Sequence, residues 1–223
     1  MSVNLILVIS IGLVSYLCLT KKFLFDKLLF NPYQTLRSNQ WYRFLTSAWV
    51  HGDFMHLGVN LYVLYSFGGL LESVFSAPTW FGNLGGLVYL GFFVLTVIIA
   101  HIPTFIKEKD NPSYNSVGAS GGVSGLLFAT ILLFPNEELL LFGIIPMNML
   151  LFGVLYLFYT YRMSKTGKDN INHDAHLWGA IGGMATLIVI RPEVIPLFIG
   201  ELQSIFSEFW HIISAKLIGN SLF

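Results

Sequence analysis

Long apolar stretches limit what this chain can fold into. A helix needs about 20 mostly apolar residues to cross the hydrocarbon core of a bilayer. Six stretches approach this length, and each predicts a transmembrane helix: 3–20, 54–74, 80–105, 117–134, 139–160 and 174–190. Hydrophobic residues form 55% of the 223 residues and charged residues only 11%, which is too apolar for a soluble domain of this size. The sequence therefore predicts an all-α, polytopic membrane protein with a bundle of six helices.

Two further segments are predicted to lie at the membrane surface. The first loop, about 21–53, mixes aromatic and charged residues, a composition typical of a segment at headgroup depth. After Arg191-Pro192, apolar residues recur with a helical period among acidic and polar ones, which favours an amphipathic surface helix over a seventh span. We therefore expect a six-helix membrane domain at 1–191 and an amphipathic tail at 192–223.

Composition and spacing argue against several classes of function. The net charge is zero, and no basic stripe or arm indicates nucleic acid binding. His51 and His56 are not four residues apart, as in a zinc-binding helix, and no cluster of thiolates or carboxylates joins His173 and His176. We expect no metal and no cofactor. A transporter with a proton relay through His56 and His176 predicts broken-helix repeats in two matching halves, which the sequence lacks.

The fourth apolar stretch contains a hydroxyl between glycines, at Gly118-Ala119-Ser120-Gly121. The small neighbours leave Ser120 open to close approach. Polar groups inside a bilayer are costly, which makes them candidates for function. A buried serine more commonly bonds back to its own helix, so the sequence alone allows either a nucleophile or a packing residue here.

The sixth stretch supplies a base for this hydroxyl. Gly179 and Gly183 form a small-residue face that allows another helix to approach closely, and the glycine-rich fourth stretch is the natural partner. His176 lies three residues before Gly179, on nearly the same face, so it is expected to meet Ser120. An imidazole can take the proton of an attacking serine. Asp174 is predicted to point away, which favours a Ser-His dyad; the alternative is that both residues only pack.

The second stretch opens with two polar residues on one helix face. His56 and Asn60 are four residues apart and therefore lie one above the other. Two such donors can stabilise a developing negative oxygen, or they can merely bond neighbouring helices. His51 precedes His56 by five residues, near the interface, where a structural or solvated role is expected.

Several motifs, in order along the chain, resemble those of the rhomboid family of intramembrane serine proteases. The resemblance extends from about Trp41 to Gly183. The matching elements are Trp41-Tyr42-Arg43, His51-x4-His56-x3-Asn60, Gly68-Gly69-Leu70-Leu71-Glu72, Gly118-x-Ser120-Gly121, and Ala175-His176-x-x-Gly179-x-x-x-Gly183.

The resemblance implies a role for each of these site residues. Ser120 would be the nucleophile and His176 the general base. The oxyanion hole would consist of His56, Asn60 and the Ser120 backbone N–H. Structural roles near the site would fall to His51, Arg43, Gly118, Gly121, Gly179 and Gly183. Substrates would be transmembrane segments of other proteins in the bilayer. A pseudoprotease that binds membrane helices without cutting them is the rival, disfavoured because both members of the dyad are present.

Two features depart from the family pattern. Some members carry an aromatic residue four positions after the nucleophile, stacked on the catalytic histidine. Ser124 stands there in this chain, on the same side as Ser120, where it bonds His176 or simply packs. Ten of the twelve basic residues lie in odd-numbered loops, which by the positive-inside rule places the N-terminus outside. The family orientation is the opposite, and we keep it as the expectation, in the plasma membrane.

Overall fold

The computed structural model of the protein describes residues 2–141, 143–167 and 171–219, most of them helical. In chain order the helices are α1 (Val3–Thr20), α2 (Lys22–Leu28), α3 (Pro32–Arg37), α4 (Arg43–Thr46), α5 (Phe54–Val63), α6 (Gly69–Phe75), α7 (Gly85–Glu108), α8 (Ser120–Leu133), α9 (Met149–Thr166), α10 (His173–Ile190) and α11 (Val194–Gly219). A π-helical turn at Leu64–Gly68 joins α5 to α6. Two strands, β1 (Glu138–Leu141) and β2 (Ile145–Asn148), precede α9.

Among the described residues, three helical stretches are long and apolar enough to cross a membrane by length and composition. They are Val3–Thr20, Phe54–Phe75 and Gly82–Glu108, and they confirm the first three predicted spans as helices. His173–Ile190 and Val194–Glu208, bent by 116°, qualify as a fourth when taken together. Ser120–Leu133 is a shorter apolar helix. The chain is therefore an integral, multi-pass membrane protein, and the count of six spans stays a prediction.

The fifth predicted span, 139–160, is wrong at both ends. Strands β1 and β2 pair antiparallel as a hairpin, and α9 begins only at Met149 and continues to Thr166. Pro146 lies within β2 and cannot donate the backbone bond that a helix interior needs. Gly143 in the turn has a φ of 73°, and the Asn148 side chain accepts from Leu151 N to cap α9. The sequence analysis missed this hairpin because its residues are as apolar as those of a transmembrane helix.

Helix α8 is the centre of the bundle, with every residue from Gly121 to Leu132 buried. Its glycines meet those of α10 directly: a Cβ on Gly179 would overlap the Gly121 carbonyl oxygen, and one on Gly183 would overlap the backbone of Gly125. The predicted small-residue contact between the two helices is therefore confirmed. Close approach of this kind replaces lipid contact with backbone packing.

The first loop is folded around Arg43, which is 4% exposed. Its guanidinium donates to the carbonyl oxygens of Leu29 (2.6 Å) and Asp26 (3.1 Å) and to the side chains of Gln40 (2.6 Å) and Gln34 (2.8 Å). A buried guanidinium with its donors satisfied cross-links the chain without an unpaired polar group. Arg43 thus holds α2, α3 and α4 together.

The opposite end of the bundle depends on a buried carboxylate. Glu72 in α6 accepts from the backbone N–H groups of Val3 (2.7 Å) and Asn4 (2.9 Å). These N–H groups begin α1, where intrahelical partners are lacking and the helix dipole favours an anion. Tyr89 in α7 donates to the Asn4 side chain (2.6 Å). The start of α1 is therefore fixed beside the end of α6, far from the first loop.

Basic residues concentrate at one end of the bundle. We call it the site end: it holds the first loop and the starts of α8 and α10, joined by the backbone pair Phe30–Ser116 and by a Lys107–Asp174 bond of 3.4 Å. The described basic residues of this end are Lys21, Lys22, Lys27, Arg37, Arg43, Lys107, Lys109, Arg162 and Lys165. Lys168, counted with them in the sequence, lies outside the described residues. The charge bias of the sequence therefore maps onto one face of the membrane domain.

Gly183→Ala is expected to destabilise the fold by about 1–3 kcal/mol, because the added methyl forces α8 and α10 apart. Gly91→Ala in α7 is the matched control, since a Cβ there meets nothing within 4 Å. Thermal unfolding in detergent measures both. Equal unfolding temperatures for the two variants would show that the glycine contact does not limit the packing.

Candidate active site

Ser120 is the first residue of α8 and is half-buried. The preceding Gly118 has a φ of 117°, a conformation that glycine adopts without strain. Its N–H donates to the Ser47 carbonyl oxygen (3.0 Å), which ties the segment before Ser120 to the first loop. Ser120 therefore lies where a glycine turn enters a helix, beside N–H groups that have no intrahelical acceptor.

His176 lies in the first turn of α10, and its Nε2 is 2.8 Å from the Ser120 Oγ. At this distance an unprotonated ring nitrogen accepts a hydrogen bond from the hydroxyl. The contact follows from the glycine packing of α8 against α10, which brings the starts of the two helices together. Asp174, predicted to point away, bonds Lys107 at the surface. The arrangement can transfer a proton from the hydroxyl to the imidazole.

A residue that the sequence analysis missed secures this end of α10. Asn172 is the N-cap, and its Oδ1 accepts from Ala175 N (3.0 Å) and from the Thr104 hydroxyl (3.2 Å). Its Nδ2 donates to the Ser116 Oγ (3.1 Å). Asn172 thus joins α10 to α7 and to the segment before Ser120. An asparagine directly before a helical pattern is a cap signal, so it could have been found from the sequence.

The imidazole of His56 lies against the Gly118 backbone. A Cβ built on Gly118 would be 2.7 Å from the His56 Nε2 and 3.7 Å from the Ser120 Oγ, so any side chain there would displace the ring. Asp53 caps α5 by accepting from His56 N (2.7 Å). The His56 imidazole and the Ser120 hydroxyl thus lie on the same side of Gly118.

Asn60 lies one turn deeper than His56 and is 5% exposed. Its Nδ2 donates to the His56 carbonyl oxygen (2.9 Å), a bond to its own helix. A side-chain amide carries two N–H donors, and this bond uses one of them. The same residue can therefore secure its helix and offer a second donor.

His51 is fully buried and joins the first loop to the start of α8. Ala119 N–H donates to its Nε2 (3.3 Å), so Nδ1 carries the proton and donates to the Ser15 Oγ (2.7 Å). The Ser15 hydroxyl in turn donates to the Trp49 carbonyl oxygen (2.9 Å). Burial, aided by the neighbouring His56, lowers the pKa of His51 to about 3. His51 is therefore neutral near pH 7 and holds Ala119, the residue before Ser120, by its backbone.

Ser124, expected either to bond His176 or to pack, forms its side-chain hydrogen bond with α9 instead. Its Oγ is 2.7 Å from the hydroxyl of Tyr156. The Tyr156 ring stacks on the His176 ring, with centroids 6.4 Å apart and an interplanar angle of 20°. Tyr156 had no place in the sequence analysis, because nothing in the pattern of α9 separates it from its aromatic neighbours.

The four predicted structural glycines divide between three contacts. Gly118 makes room for His56, Gly121 lets α8 approach Ala100 of α7, and Gly179 and Gly183 bring α10 against α8. Within the described residues, no group of three or more His, Cys, Asp and Glu side chains is arranged to hold a metal ion. What the site offers is a hydroxyl, an imidazole and a set of N–H donors.

Comparison with known proteins finds one family whose members resemble most of this chain. The family model of the Rhomboid domain matches residues 38–193. "Putative rhomboid protease YdcA" of Bacillus subtilis (strain 168) is 32% identical over 148 residues, which cover 66% of this chain and 65% of the relative. "Rhomboid-like protein 11, chloroplastic" of Arabidopsis thaliana is 30% identical over 65% of this chain and 50% of its own length.

A third relative, "Rhomboid protease GluP" of Bacillus subtilis (strain 168), is 26% identical over 66% of this chain and 26% of its own length. The chain thus spans less than two thirds of the length of each of these relatives. The matched region includes the first loop from residue 38, both members of the Ser120–His176 pair and the whole of α10.

Proposed function

The chain belongs to the rhomboid family, and we propose that it is an intramembrane serine protease that cleaves transmembrane segments of other membrane proteins. The observation that carries this proposal is the 2.8 Å hydrogen bond between the Ser120 Oγ and the His176 Nε2. The two residues are 56 positions apart and meet through a glycine contact between helices. A polar pair of this kind in an apolar bundle is costly and is best explained by chemistry.

The proposed reaction is acyl transfer through Ser120. His176 accepts the hydroxyl proton as the oxygen attacks the carbonyl carbon of the scissile peptide bond, and it then donates that proton to the leaving amine. The product is an ester between Ser120 and the acyl part of the substrate. A water molecule, deprotonated by His176, hydrolyses this ester and restores the free hydroxyl.

The negative oxygen of the tetrahedral intermediate needs donors, and three are proposed. The Ser120 N–H belongs to the first turn of α8, where the helix dipole also favours an anion. The imidazole of His56 lies beside Gly118, close to the Ser120 hydroxyl. Asn60 supplies the second N–H of its amide. Donors fixed before the reaction stabilise the developing charge without reorganisation.

The membrane arrangement is proposed on the same family basis. Six helices, α1, α5–α6, α7, α8, α9 and α10, would form the bundle in the bilayer, with the first loop at headgroup depth and α11 as the amphipathic tail. The substrate segments would reach Ser120 from the lipid. The membrane domain at 1–191 and the tail at 192–223 stay predictions, as does the plasma membrane.

Ser120→Ala and His176→Ala should each abolish cleavage of a model transmembrane substrate, because each removes one partner of the proton transfer. Labelling of the purified protein by a fluorophosphonate, which reacts with activated serines, should likewise disappear in Ser120→Ala. Ser73→Ala is the matched control, since this exposed serine bonds only within its own helix turn, to the Leu70 carbonyl oxygen. A folded wild type that is neither labelled nor active would favour the rival, a rhomboid-like protein that binds helices without cutting them.

Asn60→Ala should lower kcat by roughly a hundredfold, or about 3 kcal/mol, if its amide stabilises the oxyanion. Kinetics on the same substrate, with the unfolding temperature measured in parallel, separates this effect from damage to α5. An unchanged kcat in a folded variant would show that Asn60 does not stabilise the oxyanion and only forms the hydrogen bond within α5.

We propose the family orientation, with the N-terminus in the cytosol and the site end outside. This orientation follows the family resemblance, whereas the positive-inside rule applied to the basic first loop favours the reverse. The only cysteine, Cys18, is replaced by serine, and single cysteines are placed at Lys22 on the site end or at Asn83 on the opposite end. A membrane-impermeant maleimide on intact cells should label Lys22→Cys only; labelling of Asn83→Cys alone would reverse the orientation.

A further inference from the structure

We propose that Tyr156, on α9, is a positioning residue that holds the His176 imidazole in line with Ser120. The inference deepens the proposed protease function and rests on it. It begins from two contacts of one side chain, because Tyr156 bonds Ser124 through its hydroxyl (2.7 Å) and stacks its ring on His176.

The hydroxyl contact fixes the height and direction of the ring. Ser124 is 3% exposed and lies one helical turn after Ser120, so the anchor belongs to the same helix as the nucleophile. Phe128 and Phe152 flank the Tyr156 ring at centroid distances of 5.5 and 5.8 Å. With a hydrogen bond at its tip and aromatic rings around it, Tyr156 has little freedom to rotate.

A tyrosine ring fixed in this way restricts the rotation of the His176 imidazole. The rings of Tyr156 and His176 are nearly parallel, at 20°, an offset arrangement that aromatic pairs favour. His173 contacts His176 edge to face, with centroids 5.7 Å apart. Rotation of His176 away from Ser120 would break the stack, so the tyrosine favours the rotamer in which Nε2 points at the hydroxyl.

Ser124 and Tyr156 act as one unit divided between two helices. A serine side chain is too short to reach the imidazole as an aromatic ring would, and here its hydroxyl anchors a ring supplied by α9. Because α9 carries neither member of the dyad, a displacement of α9 would remove the ring from His176 while the Ser120–His176 pair stayed in place. The position of α9 therefore sets how well the base is oriented.

Four variants test this role. Tyr156→Leu removes the ring, whereas Tyr156→Phe keeps the ring and removes only its hydroxyl; Ser124→Ala removes the same hydrogen bond from the other side. Phe158→Leu is the matched control, because it makes the same aromatic-to-leucine change at a 66% exposed position of α9. The measurements are the rate of fluorophosphonate labelling of Ser120, and kcat and KM on a transmembrane substrate.

Tyr156→Leu should lower the labelling rate and kcat by about tenfold or more, with KM nearly unchanged, because a misplaced base slows the chemical step. Tyr156→Phe and Ser124→Ala, which remove the anchor but keep the ring, should lower kcat by a similar and smaller factor, and Phe158→Leu should match the wild type. Wild-type rates in a folded Tyr156→Leu variant would overturn the proposal. So would equal losses in Phe158→Leu.

A swap of the ring between helices guards against a variant that merely folds poorly. Ser124→Phe combined with Tyr156→Ala moves the ring to α8 while conserving volume roughly, and it should recover much of the activity that Tyr156→Ala loses. Failure to recover in a stably folded double variant counts against positioning by the ring.

An NMR measurement separates this proposal from the protease function itself. The His176 ring signals of protein with labelled histidines report the mobility of the imidazole without any reaction. Broader His176 signals in Tyr156→Leu, with those of His101 unchanged, would support the positioning role even if Ser120 proved unreactive. A shift without broadening is explained by loss of the tyrosine ring current alone, and unchanged His176 line widths would refute the proposal.

Discussion

The contact between α8 and α10 is the constraint on which the rest of the molecule depends. In a bilayer, apolar burial provides little force between helices, so association relies on close packing and on polar bonds. Gly179 and Gly183 let the backbone of α10 touch that of α8, and this places the first turn of each helix side by side. The Ser120–His176 hydrogen bond is a consequence of that approach. One packing feature therefore serves both the fold and the candidate site.

The polar groups of the bundle are satisfied in ways that also align the site. Arg43 donates to two backbone carbonyl oxygens of the first loop. His51, at the end of that loop, accepts a hydrogen bond from the Ala119 N–H. Asn172 joins the start of α10 to the segment before Ser120. Since an unpaired polar group is expensive in an apolar environment, each bond resists displacement of the segment that leads into Ser120.

Apolar length predicted the first three spans as helices, and local spacing predicted that Ser120 and His176 would meet. The distance from His176 to Gly179 and Gly183 fixes a common face, and the glycines around Ser120 identify the partner helix. The sequence analysis missed the hairpin before α9, because its residues are as apolar as those of a transmembrane span. Only Gly143 and Pro146 indicate a turn and a strand there. Tyr156 escaped as well, because its importance lies in a contact with Ser124, 32 residues away.

Ser124 shows how a departure in one motif is compensated elsewhere in the fold. The position four residues after Ser120 lies on the same helix face as Ser120, so a small residue there leaves a space beside His176. The Tyr156 ring of α9 occupies that space, and the Ser124 hydroxyl forms a hydrogen bond with the hydroxyl of Tyr156. In the proposed arrangement, the orientation of the His176 imidazole depends on three helices. α10 carries the imidazole, α8 carries the hydroxyl and the anchor, and α9 carries the ring.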